Sequence, residues 1–249
     1  MQASSDILTL PKDGRTFLVG RTGSGKSYLE NLLMWNYLAA WPSAKILVLD
    51  TSTNYRAEWL LSGFSAARHY KKIDQDKTTF LPGAYLFDVH VGAEGLGRHL
   101  DLLFRESSIV LAQSEHEEDW PTLKAAARTF YERYSAREPR LLVIDELADF
   151  YRAGTSSDIF WRTARAGRKH NVALLAGSQR PRFIPTPVLT EADRYYMFYL
   201  DNRDDMKKMW DLGIPKEKVA PVVDYSFLYW NKKERDSGAS GKYYIVKEQ

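Results

Sequence analysis

Residues 20–27 read Gly20-Arg21-Thr22-Gly23-Ser24-Gly25-Lys26-Ser27 and match the pattern G-x-x-x-x-G-K-[ST] in full. The match lies between the apolar run Thr16-Phe17-Leu18-Val19 and a stretch from about Lys26 to Ala40 with Leu29, Leu32, Leu33 and Tyr37 at helical spacing, which Pro42 ends. Strand, glycine-rich turn and helix in that order make a phosphate cradle. The glycines let backbone N–H groups turn inward around an anion, and the positive end of the helix dipole faces the same charge. Gly20, Arg21, Thr22, Gly23, Ser24 and Gly25 form the cradle of an ATP site, Lys26 reaches the β and γ phosphates, and Ser27 holds Mg2+ through its hydroxyl.

Outward from this turn, apolar β-type runs alternate with helical stretches. Lys45–Asp50 is a continuous run, as a parallel strand buried on both faces requires, and a Ser/Thr/Asn loop follows it. Residues 68–83 are polar and basic, with Lys71, Lys72 and Lys77, and lead into an alternating stretch over 84–91 and a glycine-bearing segment over 92–97. Further strands are predicted at Ser108–Ala112, Arg140–Asp145, Val172–Ser178 and Tyr195–Leu200, and two closing strands near Phe227 and Tyr244. Helices are predicted from about Pro121 to Ala136, Ser156 to Ala166 and Asp204 to Leu212. The alternation predicts an α/β protein with a mostly parallel central sheet flanked by helices, read as one domain over 1–249.

Composition narrows the chemistry. Hydrophobic residues make up 44 % of 249 and aromatics 13 %, enough for a packed interior. With 0 Cys, a disulfide framework, a cysteine zinc site, an iron–sulfur cluster and a thiol nucleophile are excluded. No apolar run approaches the roughly 20 residues that cross a bilayer, and Met1-Gln2-Ala3-Ser4-Ser5-Asp6 has no basic flank or apolar core, so a protein soluble inside the cell is expected. A net charge of +3 is too near balance for the whole surface to bind a polyanion, so any positive site must be local.

The run Leu141-Leu142-Val143-Ile144 ends in Asp145-Glu146. Ligands of parallel sheets sit at the carboxyl ends of the strands, so Asp145 is placed to orient the shell of Mg2+ and Glu146 to act as general base on a water. The plainer reading is a helix cap and a solvated acid ahead of Leu147. A guanine-reading N-K-x-D is missing, since the nearest string, Asn231-Lys232-Lys233-Glu234, ends in the wrong acid, and small-molecule kinases can dispense with the second acid; ATP hydrolysis is favoured. Val172–Ser178 ends in Gln179, whose amide can hydrogen-bond an attacking water and a γ-phosphate oxygen together. Between Asp158 and Glu191 stand Arg162, Arg165, Arg168, Lys169, Arg180 and Arg182 with no acid among them, a local charge of +6. That string reads either as a solvated helix face or as a source of arginines offered to a neighbouring subunit's γ phosphate, Arg168 first and Arg165 second.

The phosphate loop, the strand ending in Asp50, Leu-Leu-Val-Ile-Asp-Glu, Ala164-Arg165-Ala166-Gly167-Arg168-Lys169-His170-Asn171 and Ala176-Gly177-Ser178-Gln179-Arg180-Pro181 follow in an order that resembles the HerA/FtsK superfamily of DNA-pumping ATPases. The resemblance covers about residues 14–230 and implies a single P-loop NTPase domain with a RecA-like core, a homo-oligomeric ring and ATP-driven, sequence-independent translocation along double-stranded DNA. It implies nucleotide binding by residues 20–27, metal and water roles for Asp145 and Glu146, a sensor role for Gln179, and an arginine near Arg168 acting in trans. Cellular members carry extra domains or a membrane anchor for which this length leaves no room, so the chain is most similar to the minimal genome-packaging ATPases of internal-membrane viruses of the tectivirus-like and archaeal turreted icosahedral groups. On that footing a capsid vertex or membrane-associated portal protein is the expected partner, and the host cytoplasm or virion vertex the expected location. The candidate DNA contacts are the stretch from Arg68 to Lys77 and the turn from Arg180 to Arg182. A cellular or plasmid DNA-transfer ATPase, an ATP-gated assembly protein with no motor stroke, and a small-molecule kinase remain as alternatives.

Overall fold

The computed structural model describes residues 7–59, 79–87, 89–90, 95–133, 138–152, 158–219, 226–232 and 242–247. In chain order the elements are β1 (Arg15–Val19), α1 (Lys26–Ala40), β2 (Lys45–Asp50), β3 (Tyr55–Trp59), β4 (Thr79–Leu86), α2 (Leu96–Glu106), β5 (Ile109–Gln113), α3 (Trp120–Arg133), β6 (Arg140–Ile144), α4 (Leu147–Arg152), α5 (Asp158–Ala166), β7 (Val172–Ser178), α6 (Thr186–Thr190), β8 (Arg194–Met197), α7 (Arg203–Asp211), α8 (Lys216–Val219), β9 (Ser226–Asn231) and β10 (Lys242–Lys247). The ten strands form one sheet in the order β10-β9-β8-β1-β7-β6-β2-β5-β4-β3. Pairing is parallel from β3 through β8, and only β9 and β10 run antiparallel to their neighbours. This is the expected mostly parallel α/β sheet.

The central strands β2, β6 and β7 are apolar between their end residues because both faces are covered. Phe17, Val19, Leu47, Leu49, Leu142, Ile144, Leu174 and Ala176 point to one side, into a core shared with Leu100, Leu123, Phe130, Leu147 and Phe160. The alternate residues Leu18, Ile46, Val48, Leu141, Val143, Ala173 and Leu175 meet Leu29, Leu33, Met34 and Tyr37 of α1 on the other. At roughly 1.5–3 kcal/mol for each large apolar side chain removed from water, these two layers hold the register, since a one-residue slip would exchange the faces but leave every polar strand end misplaced.

Four segments depart from the sequence expectation. The Ser/Thr/Asn loop after β2 gives way to a further strand, β3, and the glycine-bearing segment continues into α2, whose Leu96, Leu100, Leu103 and Phe104 are buried. The alternating stretch expected over 84–91 pairs earlier, as β4 at Thr79–Leu86, and β8 stops at Met197 rather than Leu200.

A buried charge fastens the amino edge of the sheet. Arg140, fully buried at the start of β6, donates to the carbonyls of Phe130 at 2.6 Å and Tyr131 at 3.2 Å in the last turn of α3, and to that of His170 at 2.5 Å. It thereby satisfies helix-terminal carbonyls that have no partner within α3. All parallel strands discharge at the opposite edge, where Val19, Asp50, Gln113, Ile144 and Ser178 end.

Candidate active site

The turn after β1 is clamped between the ends of its two neighbours. The amide of Gly20 donates to Ser178 O at 3.1 Å and that of Arg21 to Tyr199 O at 2.9 Å. A Cβ on Gly20 would stand 2.4 Å from Cβ of Phe198, so only glycine fits there. Gly23 and Gly25 take φ of 74° and 98°, the left-handed region open to glycine at little cost. Lys26 Nζ donates to Arg21 O at 3.1 Å, drawing the side chain back across its own loop.

The donors in this concavity suit an anion. Gly25 precedes α1 without a side-chain cap, and the first turn of the helix has no acidic residue. The Ser24 hydroxyl is buried with no hydrogen-bond partner among the described residues. An uncapped helix start, an unpartnered hydroxyl and a buried ammonium are groups that a polyphosphate satisfies together. Burial lowers the pKa of Lys26, and the carboxylates of Glu146, Asp145 and Glu30 oppose that shift.

The two acids after β6 are both buried, which removes the solvated-acid reading. Ser27 Oγ lies 3.4 Å from Asp145 Oδ1, longer than an ordinary hydroxyl hydrogen bond of about 2.5–3.0 Å. Asn54 Nδ2 donates to Asp145 Oδ2 at 2.7 Å. Burial pushes Asp145 up to about 6. Glu146 accepts from Ser178 Oγ at 2.6 Å and Ala148 N at 3.3 Å on Oε1, and from Gln179 N at 2.6 Å on Oε2. The contact with Ala148 keeps a trace of the capping role. Burial also raises Glu146, while the donors from Ser178 and Gln179 pull the other way. The hydroxyl of Ser27 and the carboxylate of Asp145 are hard oxygen donors of the kind Mg2+ takes beside phosphate oxygens, and no group of three His, Cys, Asp or Glu among the described residues offers a protein-only cage.

Gln179 arrives at the same edge, where the Thr22 hydroxyl donates to its Oε1 at 2.6 Å. The structure therefore brings residues 20–27, Asp145, Glu146 and Gln179 into one cluster. The arginines are elsewhere. Arg168 sits before β7 at the amino edge, 3.7 Å from carboxylate oxygens of both Asp13 and Asp193. Arg165 is exposed, its guanidinium 5.0 Å from the Trp161 ring. Arg180 faces Asp201 and Asp205, and Arg182 faces Asn202 and Asp204, with its amide on Asp205. The stretch Arg68 to Lys77 lies outside the described residues.

Three site residues escape the motifs. Glu30, fully buried on α1, accepts from the Tyr55 hydroxyl at 2.6 Å, and burial drives its pKa well up. Asp50 accepts from Ser52 N at 3.0 Å, Tyr55 N at 2.9 Å and Gln113 Nε2 at 2.8 Å, and burial pushes it up to about 7. Asn54 is the third. Glu30 carried a signal, a charge inside the apolar stripe of α1; Asn54 carried none.

No family model and no curated sequence matches the chain. Solved structures do match. The genome packaging NTPase B204 from Sulfolobus turreted icosahedral virus 2, in complex with sulfate, aligns at a TM-score of 0.64 and 18 % identity over 96 % of this chain and 98 % of that one. The same NTPase in complex with AMP gives 0.62 and 19 % over the same shares. The chain has a P-loop ATPase fold. The cytoplasmic domain of the Type VII secretion ATPase EccC from Thermomonospora curvata shares that P-loop ATPase fold at 0.51 and 17 %, over 95 % of this chain and 25 % of its own. The similarity expected from the motif order is met here as a likeness of fold.

Proposed function

We propose that this chain is the ATP-hydrolysing subunit of a homo-oligomeric ring that drives double-stranded viral DNA into a preformed capsid. The observation that carries the hydrolytic part is the setting of Glu146, a buried carboxylate gripped by Ser178 Oγ and Gln179 N beside the Ser27–Asp145 pair. Support for packaging comes from B204, described as a genome packaging NTPase and matched over 98 % of its length.

The amides of Thr22, Gly23 and Gly25 and those opening α1 face the polyphosphate, while the Gly20 and Arg21 amides anchor the loop to Ser178 and Tyr199, and Lys26 supplies a positive charge between the β and γ positions. Ser27 and Asp145 would hold Mg2+, which would supply charge neutralisation on the same phosphates. A carboxylate has about four acceptor directions, and three donors already fix Glu146, so one is left to take the proton of an attacking water. Gln179 leaves the Thr22 hydroxyl to bond the γ phosphate, which carries the state of the site into β7. Arg168, with Arg165 second, serves the neighbouring subunit. The single domain works at the virion vertex or in the host cytoplasm, against a portal protein of the capsid.

The test is ATPase activity measured together with oligomeric state. The reading requires an oligomer whose turnover rises with double-stranded DNA, with a stimulation that falls steeply as salt increases. Binding of ATP without turnover, with DNA and across a range of salt, leaves an assembly switch. A monomer that transfers phosphate to an acceptor leaves a kinase.

A further inference from the structure

We propose that Asn54 is a positioning residue that fixes the orientation of Asp145, held there by an over-anchored loop between β2 and β3. The inference rests on the ATPase reading and adds to it a residue that no motif marks. Residues 50–55 lie at the carboxyl edge of the sheet and are fastened to β5, α4 and α1. Asp50 accepts from the amides of Ser52 and Tyr55 and from Gln113 Nε2 at the end of β5. Gln113 Nε2 also donates to Tyr55 O at 2.8 Å. Thr51 Oγ1 donates to Asp149 Oδ2 on α4 at 2.9 Å, and the Tyr55 hydroxyl reaches Glu30 on α1.

Inside this frame Thr53 has φ of 52°. A β-branched residue in the left-handed region is an outlier, and it persists only where its surroundings dictate it. What the distortion delivers is the next side chain. Asn54 Nδ2 stands 2.7 Å from Asp145 Oδ2, while Oδ1 of the same carboxylate faces Ser27. One oxygen is thus occupied by an amide donor and the other is turned to the hydroxyl that completes the metal pair. Donors that orient a metal-ligating carboxylate change metal affinity by about 10–100-fold when removed.

Equilibrium binding of a fluorescent, non-hydrolysable ATP analogue, in excess Mg2+ and in EDTA, separates this role from a structural one. Asn54→Ala and the volume-keeping Asn54→Leu should bind as the wild type does in EDTA. Each should lose about 10-fold or more of the affinity gained on adding Mg2+. Lys26→Ala should lose binding in both conditions. Variants at Asn54 that keep the full Mg2+ gain, or that lose EDTA binding in step with it, overturn the positioning role alone. Wild-type protein that fails to bind the analogue, or gains nothing from Mg2+, overturns the ATPase reading and this role with it.

Discussion

Glu146, the base in the proposed reaction, is a buried acid held in place by its neighbours. Its oxygens are pinned by Ser178, Ala148 and Gln179, so the side chain has one rotamer and little freedom to lose on activation. Glu146→Gln preserves that shape. Its carbonyl can accept from the Gln179 amide, and its NH2 can donate to Ser178, whose hydroxyl accepts as well as donates, so that only the long 3.3 Å contact from Ala148 N is lost. Nucleotide binding should therefore be unchanged and phosphate release should fall about 10²–10⁴-fold, the usual contribution of a general base. Turnover near the wild-type rate would remove Glu146 from that role. The neighbouring acids set a second expectation. Asp50 is raised by burial to about 7 and Asp145 to about 6, and Glu30 and Glu146 are raised for the same reason. A carboxyl raised on folding stabilises the fold fully at low pH, and that stability is lost as pH climbs through the folded-state value. The melting temperature of nucleotide-free protein should thus fall between pH 5 and pH 8. A rise over that interval would show that these acids ionise in the folded state with no penalty.

At the scale of elements, legibility followed the reach of the physical signal. β1, β2, β6 and β7 were plain because burial on both faces demands unbroken apolar runs, and the cradle was plain because its glycines answer to backbone geometry alone. Asp145, Glu146 and Gln179 were readable since each directly ends or follows such a strand. The missed elements carried weaker marks. β3 alternates Tyr55, Ala57 and Trp59 with Arg56 and Glu58, too short a run to outweigh the Ser/Thr/Asn loop before it. α2 places Leu96, Leu100, Leu103 and Phe104 on one face, but Gly95 and Gly97 punctuate its start. Asn54 and Asp50 were not readable as a pair with Asp145 and Gln113, because contact between the ends of separate strands depends on strand order, which no local pattern encodes. Arg140 likewise looks like an ordinary strand-leading charge until α3 is seen to end above it.

Over the whole molecule four of the six cations behind the +6 of the arginine-rich stretch are met by carboxylates from distant elements, Glu132 at Arg162, Asp13 and Asp193 at Arg168, and Asp201, Asp204 and Asp205 at Arg180 and Arg182. Arg168 also stands at the wrong edge for its own cradle. The seven residues of β7 separate the two edges by roughly 20 Å, farther than an arginine side chain extends. It can act on a γ phosphate only if a second subunit presents it, as successive subunits of a head-to-tail ring would. Arg168→Ala should fold, because Asp193 keeps its buried bond from Arg15 at 2.9 Å and the pairs lost are half-exposed. The variant should bind nucleotide and lose about 10³-fold or more of its turnover. Lys26→Ala should be inactive for the opposite reason, lacking the cradle charge but keeping Arg168. In an equal mixture, on the order of a quarter of interfaces pair an intact cradle with an intact arginine, and phosphate release should return in part. Mixed oligomers confirmed by differential tagging, with no recovered turnover, would place the arginine's role within its own subunit's fold and not at its neighbour's phosphate.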